Sequence, residues 1–210
     1  MTENDKRLES ANERARARVD KFATRQAEIA DAALVTLADL GYARTSLREI
    51  AGNADFSHAV LRYYFADKMD LILQCIKQYK AVCVKRYDAV TELAETQEDL
   101  LEGFLKQLSE TLMTESHLHR LWYDLRSQAM FEDALAEDVR KIDSDLENMV
   151  WKIVERYAAL GNGSPKLSSK AYYALFDGLF QNALARVIAG EKDAILEINS
   201  ELRQSLTATV

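Results

Sequence analysis

The sequence predicts an all-α protein, and three observations carry that expectation. Its 210 residues include a single proline, Pro165, and seven glycines, too few of the breakers that punctuate sheets and long loops. Ala, Leu, Glu, Lys and Arg, which lose little conformational freedom in a helix, are abundant. The apolar residues recur at three-, four- and seven-residue steps, the spacing of helix faces. A chain of this length builds one large domain or two modest ones, each with a real core.

The elements follow in order. Residues 1–20 mix charges with Ala and Ser and show no apolar stripe, so they read as a flexible N-terminal arm or a frayed helical extension in which Arg14, Arg16 and Arg18 offer positive charge. From Thr24 the pattern turns helical: Phe22, Ile29, Ala33, Leu37 and Leu40 form a stripe that Gly41 ends. Ser46-Leu47-Arg48-Glu49 has capping-box form and opens a short second helix ending near Ala54-Asp55-Phe56. Ser57 caps a third, over 58–64. Asp67 caps a long fourth helix carrying Leu71, Cys75, Tyr79, Val82 and Tyr87.

Thr96 and Ser116 cap helices running to Met113 and Met130, and 133–160 forms a long amphipathic helix through Ile142, Leu146, Met149, Ile153 and Tyr157. The loop Gly-Asn-Gly-Ser-Pro-Lys at 161–166 separates it from two last helices, 167–189 and 191–207, parted at Gly190. This makes about nine helices, without a solenoid repeat.

Several function classes drop out. No apolar stretch approaches the ~20 residues of a membrane-spanning helix, and no apolar run follows the basic N-terminus as a signal peptide requires; the expected location is the cytoplasm, with no membrane partner. Cys75 and Cys83 lie about 12 Å apart along one helix, too far to bridge. His117 and His119 point their rings about 200° apart and do not converge on one ion. No metal or cofactor is expected, and with no phosphate loop, nucleophile elbow or paired-carboxylate motif there is no catalytic residue to name. An enzyme is not expected.

The net charge of −7 is uneven: residues 1–68 hold 11 Lys or Arg against 11 Asp or Glu, so the acidity belongs to the remainder. Local potential, not the total, decides whether a module meets phosphate. Thr45 to Lys68 then carries the functional signal. Two short helices joined by a tight turn, with an apolar helix in front, have the layout of a helix-turn-helix. On the third helix Leu61 and Phe65 face inward with Ile50, Ala51 and Ala54, leaving Ala59, Val60, Arg62 and Tyr63 on the outward arc. Small apolar groups beside an Arg donor suit a major groove, where Arg pairs with guanine and methyl groups pack on thymine.

These residues resemble the DNA-binding domain of the tetracycline-repressor family, through Ile29, Ala33, Gly41, Tyr42, Thr45, Ile50, Ala51, Ala54, Ser57, Leu61, Tyr64, Phe65 and Lys68. Two departures stand out: Asp55-Phe56-Ser57 replaces the common Gly-Val-Ser turn, and His58-Ala59-Val60 lacks the lysine that many members carry there. The resemblance implies a helix-turn-helix domain over 21–68 and a larger ligand-binding and dimerisation domain over 69–210. Thr45 and Ser46, at the start of the second helix, are candidate phosphate contacts. Ser57 heads the recognition helix, on which Arg62 and Tyr63 are the candidate base readers, and Tyr64 and Lys68 hold the DNA backbone. His58, Ala59 and Val60 complete the DNA-facing set.

Beyond Lys68 the likeness is one of architecture. Tyr172 to Ala189 and His119-Arg120-Leu121-Trp122-Tyr123 resemble segments of choline-responsive repressors of that family. This implies a homodimer through the last two helices, which Ala174, Gly178, Ala185 and Ala189 would let approach closely. It also implies a small-molecule pocket, for which Tyr79, Phe104, Leu108, Trp122, Leu125, Met149, Ile153, Phe176 and Phe180 are the candidates. Trp and Tyr faces among them admit a cationic ligand. The expected function is a ligand-responsive repressor of a palindromic operator, released by its effector; the alternative is a helix-turn-helix protein with no effector, controlled by a protein partner.

Overall fold

The computed structural model describes residues 3–40, 45–54 and 56–210. Among them there are ten helices and no strand. They form two compact units, Met1–Gln78 and Tyr79–Val210.

In the first unit α1 (Glu3–Leu40) is a single helix of 38 residues. Residues 3–20, within the stretch read as a flexible arm or a frayed helical extension, are helical and continuous with the apolar part of this helix. The cause is composition: Glu3–Leu40 contains neither Gly nor Pro, and Ala, Arg, Glu and Lys sustain a helix without any stripe to bury. Where the stripe does exist, Ile29, Ala33 and Leu37 are completely buried. Gly41, Tyr42 and Asp55, which belong to the sequence signature, lie outside the described residues, as does the side chain of Leu40.

The short helices owe their ends to their caps. Ser46 Oγ accepts from the Glu49 amide at 3.2 Å, while the Glu49 carboxylate accepts from the Ser46 amide at 2.8 Å, closing the capping box that starts α2 (Leu47–Asn53). Ser57 Oγ accepts from the Val60 amide and starts α3 (His58–Tyr64). Ser46→Ala is expected to cost about 1 kcal/mol, readable as a lower thermal midpoint by circular dichroism.

α4 (Lys68–Lys85) begins under Asp67, whose Oδ1 accepts from the Asp70 amide at 2.9 Å. Its first turns complete the core of the first unit: Leu71, Ile72, Cys75 and Ile76 are fully buried, and the Cys75 thiol donates to the Ala30 carbonyl at 3.1 Å. For this reason the division between units falls inside α4. Sequence periodicity runs this helix on past Tyr87, but it breaks at Arg86-Tyr87 and resumes as α5 (Asp88–Leu93), the tenth helix. Both residues at the break reach inward, Arg86 to Glu115 and Tyr87 to Phe104, with ring centroids 5.2 Å apart.

The second unit is completed by α6 (Gln97–Thr114), α7 (Ser116–Gln128), α8 (Asp133–Leu160), α9 (Ser169–Ile188) and α10 (Ala194–Thr209). Thr96 caps α6 in a box with Asp99, and Ser168 caps α9. Ser116 is the first residue of α7 instead of its cap. Gly190, with φ 82°, makes the left-handed step between the last two helices. α9 packs most extensively against α8 and α10 and also meets α6 and α7, so its inward face, with Tyr172, Phe176, Ala183 and Leu184, lies in the core.

Candidate functional site

The first unit presents the surface that sequence periodicity outlines. Leu61 and Phe65 are buried, which leaves His58, Ala59, Arg62 and Tyr63 exposed and Val60 half-buried on the other arc of α3. Tyr63 is 71% exposed, and its ring lies 4.9 Å from Tyr64 and 5.8 Å from Phe22. Phe22 stacks on Tyr64 at 4.7 Å, and Gln26 Nε2 donates to the Tyr64 carbonyl at 2.9 Å. α1 thus props the end of α3 from behind. Of the candidate phosphate contacts, Ser46 and Ser57 are exposed, Lys68 is half-buried at the start of α4, and Thr45 is buried. The Thr45 side chain faces the core, so Ser46 is the hydroxyl available at the start of α2.

The second unit contains a cavity of about 80 Å³. A site for one water needs roughly 10–15 Å³, so this space suits a small organic molecule. Of the nine pocket candidates, Phe104, Leu108, Trp122, Met149, Phe176 and Phe180 line it. Tyr79, Leu125 and Ile153 do not; all three are buried in the surrounding packing. The apolar wall was therefore legible, and what sequence reasoning missed is a polar wall: Lys80, Arg86, Thr111, His119, Tyr123 and Asp177.

That wall is a chain of hydrogen bonds. Arg86 Nη2 donates to both Glu115 oxygens, at 2.9 and 2.8 Å, and its Nη1 donates to Thr111. Tyr79 donates its hydroxyl proton to Glu115 Oε2 at 2.7 Å and lies 2.9 Å from His119 Nε2. A phenol has one proton to give, so His119 Nε2 carries a hydrogen and Nδ1 is the acceptor. Lys80 Nζ approaches that Nδ1 at 3.3 Å. Burial, reinforced by Lys80 and Arg86, pushes the His119 pKa well below its usual value and keeps the ring neutral. On the adjoining side Asp177 accepts from Tyr123 at 2.8 Å and pairs with Arg126 at 2.5 Å, and Arg126 also meets Asp143 at 3.3 Å.

Lys80 differs from the other cations of this wall. It is 5% exposed and, among the described residues, pairs with no carboxylate; its ammonium lies over the Tyr79 and Trp122 rings, 5.5 and 5.3 Å from their centroids. Burial lowers its pKa to about 8. The Trp and Tyr faces that would cage a cationic ligand are thus already occupied. A signal existed in the sequence: Ile76, Lys80 and Cys83 on α4 and Tyr87 just past its end stand at core-facing spacing, with a lysine where an apolar residue belongs.

Cys83, Glu115 and His119 place their potential ligand atoms within 4.8 Å of one another. Glu115 is already paired with Arg86, and both His119 nitrogens are engaged. Glu115 and His119 of this cluster are thus held by one ion pair and by hydrogen bonds to Tyr79 and Lys80.

The chain, with a helix-turn-helix layout in its first unit and a cavity in its second, is similar to known transcriptional regulators. Residues 29–75 match the family described as bacterial regulatory proteins, tetR family. The HTH-type transcriptional regulator PksA of Bacillus subtilis (strain 168) is 27% identical over 180 residues, covering 83% of this chain and 85% of PksA. Among solved structures, a TetR transcription regulator from Haloarcula marismortui shares the fold with a TM-score of 0.72 at 19% identity, over 89% of this chain and 98% of that one. The regulator FadR from Bacillus subtilis in complex with stearoyl-CoA does so with a TM-score of 0.66 at 20% identity, over 83% and 94%. The family matched over residues 29–75 and the relatives named above are transcriptional regulators. No described helix is long and apolar enough to cross a membrane.

Proposed function

We propose that the protein is a ligand-responsive transcriptional repressor that binds a palindromic operator as a homodimer in the cytoplasm and leaves it when a small molecule enters the second unit. The observation that carries this reading is the cavity between Phe104, Trp122, Met149 and Phe176, in a chain whose first unit matches the tetR family. A helix-turn-helix protein controlled only by a protein partner would have no use for such an interior. FadR, of the same fold, is a regulator seen with a small molecule bound. The dimer reading rests on α9, whose Ala171, Ala174, Gly178 and Ala185 form an exposed face of small residues, across which a second helix could approach closely.

The effector acts by linkage: it binds the DNA-free protein more tightly than the operator complex. Selecting bound sequences from random DNA, then titrating effector with and without the selected operator, tests both halves. Equal effector affinity in the two titrations contradicts release. With the selected operator, Lys68→Ala is expected to weaken binding to all sequences and reduce the salt dependence by about one counterion. Arg62→Ala instead relaxes preference at one base position, by about 1–3 kcal/mol for a bidentate contact. An unchanged selected motif in Arg62→Ala moves base reading elsewhere on α3.

A further inference from the structure

We infer that the ligand of the cavity carries a carboxylate on an apolar body, and that Lys80 and the Trp122 indole N–H receive the carboxylate. The inference rests on the cavity being a ligand site, and it specifies what that site selects. Two observations point to it independently. Lys80 is a buried ammonium at the cavity wall whose one hydrogen bond goes to a neutral imidazole. Trp122, 1% exposed and also at the wall, has an Nε1–H with no hydrogen-bond partner.

Both groups are donors: the ammonium has only a neutral imidazole as its acceptor, and the indole N–H has none. The ammonium lies over the Trp122 ring, 5.3 Å from its centroid. Buried donors normally find partners, because leaving one unmade forfeits its hydration without return. The other charges of the wall are already committed to each other: Arg86 with Glu115, and Arg126 with Asp177 and Asp143. What lacks a direct partner of opposite charge is the Lys80 ammonium, and what lacks an acceptor is one neutral N–H. A carboxylate supplies one negative charge and several lone pairs, and suits both. A cationic ligand would be repelled by Lys80, and a neutral apolar one would leave the ammonium without a counter-ion and the indole N–H without an acceptor. The remaining wall, with Phe104, Leu108, Met149, Val150 and Phe176, takes an apolar body.

The test uses the full-length protein and isothermal titration calorimetry with butanoate, octanoate and dodecanoate, each beside the alcohol and the amine of its chain length, and with octanoyl-CoA. For the chain length that fits, the carboxylate binds roughly tenfold or more tightly than the alcohol, the worth of one charge-assisted hydrogen bond, and the amine binds worst. Lys80→Met keeps the alcohol affinity and removes the preference for the carboxylate; Trp122→Phe narrows that preference and retains part of it. Alcohol or amine binding as tightly as the acid, or a preference that survives Lys80→Met, overturns the assignment while leaving the ligand site intact. Tighter binding of octanoyl-CoA than of octanoate overturns it too, since the acyl group there is a neutral thioester. If none of these compounds binds, the reading of the cavity as a ligand site fails with it.

Discussion

Gly178→Arg is expected to separate the proposed dimer into monomers and to abolish operator binding at nanomolar protein. A Cβ at position 178 meets nothing within 4 Å in its own subunit, and Gly178 is exposed on α9, which leaves an arginine room to extend from the isolated chain. An arginine even favours α9, because glycine costs a helix interior about 1 kcal/mol relative to good helix formers. Across a two-fold axis the same substitution places two arginines in an interface of small residues, burying charge without a partner. The variant therefore keeps or improves its helical circular dichroism while its sedimentation coefficient falls to that of a monomer. One seven-residue recognition helix reaches only a few base pairs, and a single module has little affinity to spare over genomic DNA. A variant that still sediments as a dimer and binds the same inverted repeat places the interface on other helices.

The second large effect is one of stability. The lowering of the Lys80 pKa from 10.5 to about 8 corresponds to a cost of roughly 3 kcal/mol for keeping the ammonium charged in the fold. Lys80→Met removes that cost and forfeits about 1 kcal/mol from the bond to His119. The ligand-free variant is thus expected to gain about 2 kcal/mol at neutral pH, several degrees in Tm by calorimetry.

The pH dependence has a definite sign. Because the folded pKa lies below the unfolded one, the cost is fully present below about 8 and fades as pH rises toward 10.5, where the unfolded chain also loses its proton. The groups facing this ammonium are His119, Tyr79, Cys83, Arg86, Arg126 and Asp177, and they are common to both proteins. The Tm gap between variant and parent should therefore narrow at about pH 10. A variant less stable than the parent at neutral pH would show that Lys80 contributes more through packing than it costs through charge.

What could be read from the sequence was local. Ser46 with Glu49, Ser57, Thr96 and Ser168 announce helix starts because a cap and its amide lie within three residues of each other. The inward positions Leu61 and Phe65 follow from helical geometry alone. Two kinds of feature were hidden. The helicity of residues 3–20 left no periodic mark, since a helix with no face to bury has no stripe. The polar wall of the cavity joins α4, α6, α7 and α9, and no spacing in one helix reveals a partner on another. Lysine is also so commonly exposed that Lys80 passes for a surface residue until Tyr79, His119 and Trp122 are seen around it.

The passage of α4 across the boundary between the units bears on how the chain can be cut. A fragment ending at Lys68, where the helix-turn-helix signature stops, lacks Leu71, Ile72, Cys75 and Ile76, four fully buried residues of its own core. It also loses the acceptor relation between Ala30 and Cys75 and the bonds from Gln78 to Ala27 and Asp31. A minimal DNA-binding fragment has to extend at least to Gln78. The complementary piece starting at Tyr79 would begin one residue before Lys80, with its amine on a fraying first turn. Excising either half at the motif boundary yields a fragment whose behaviour reports on the cut and not on the parent protein.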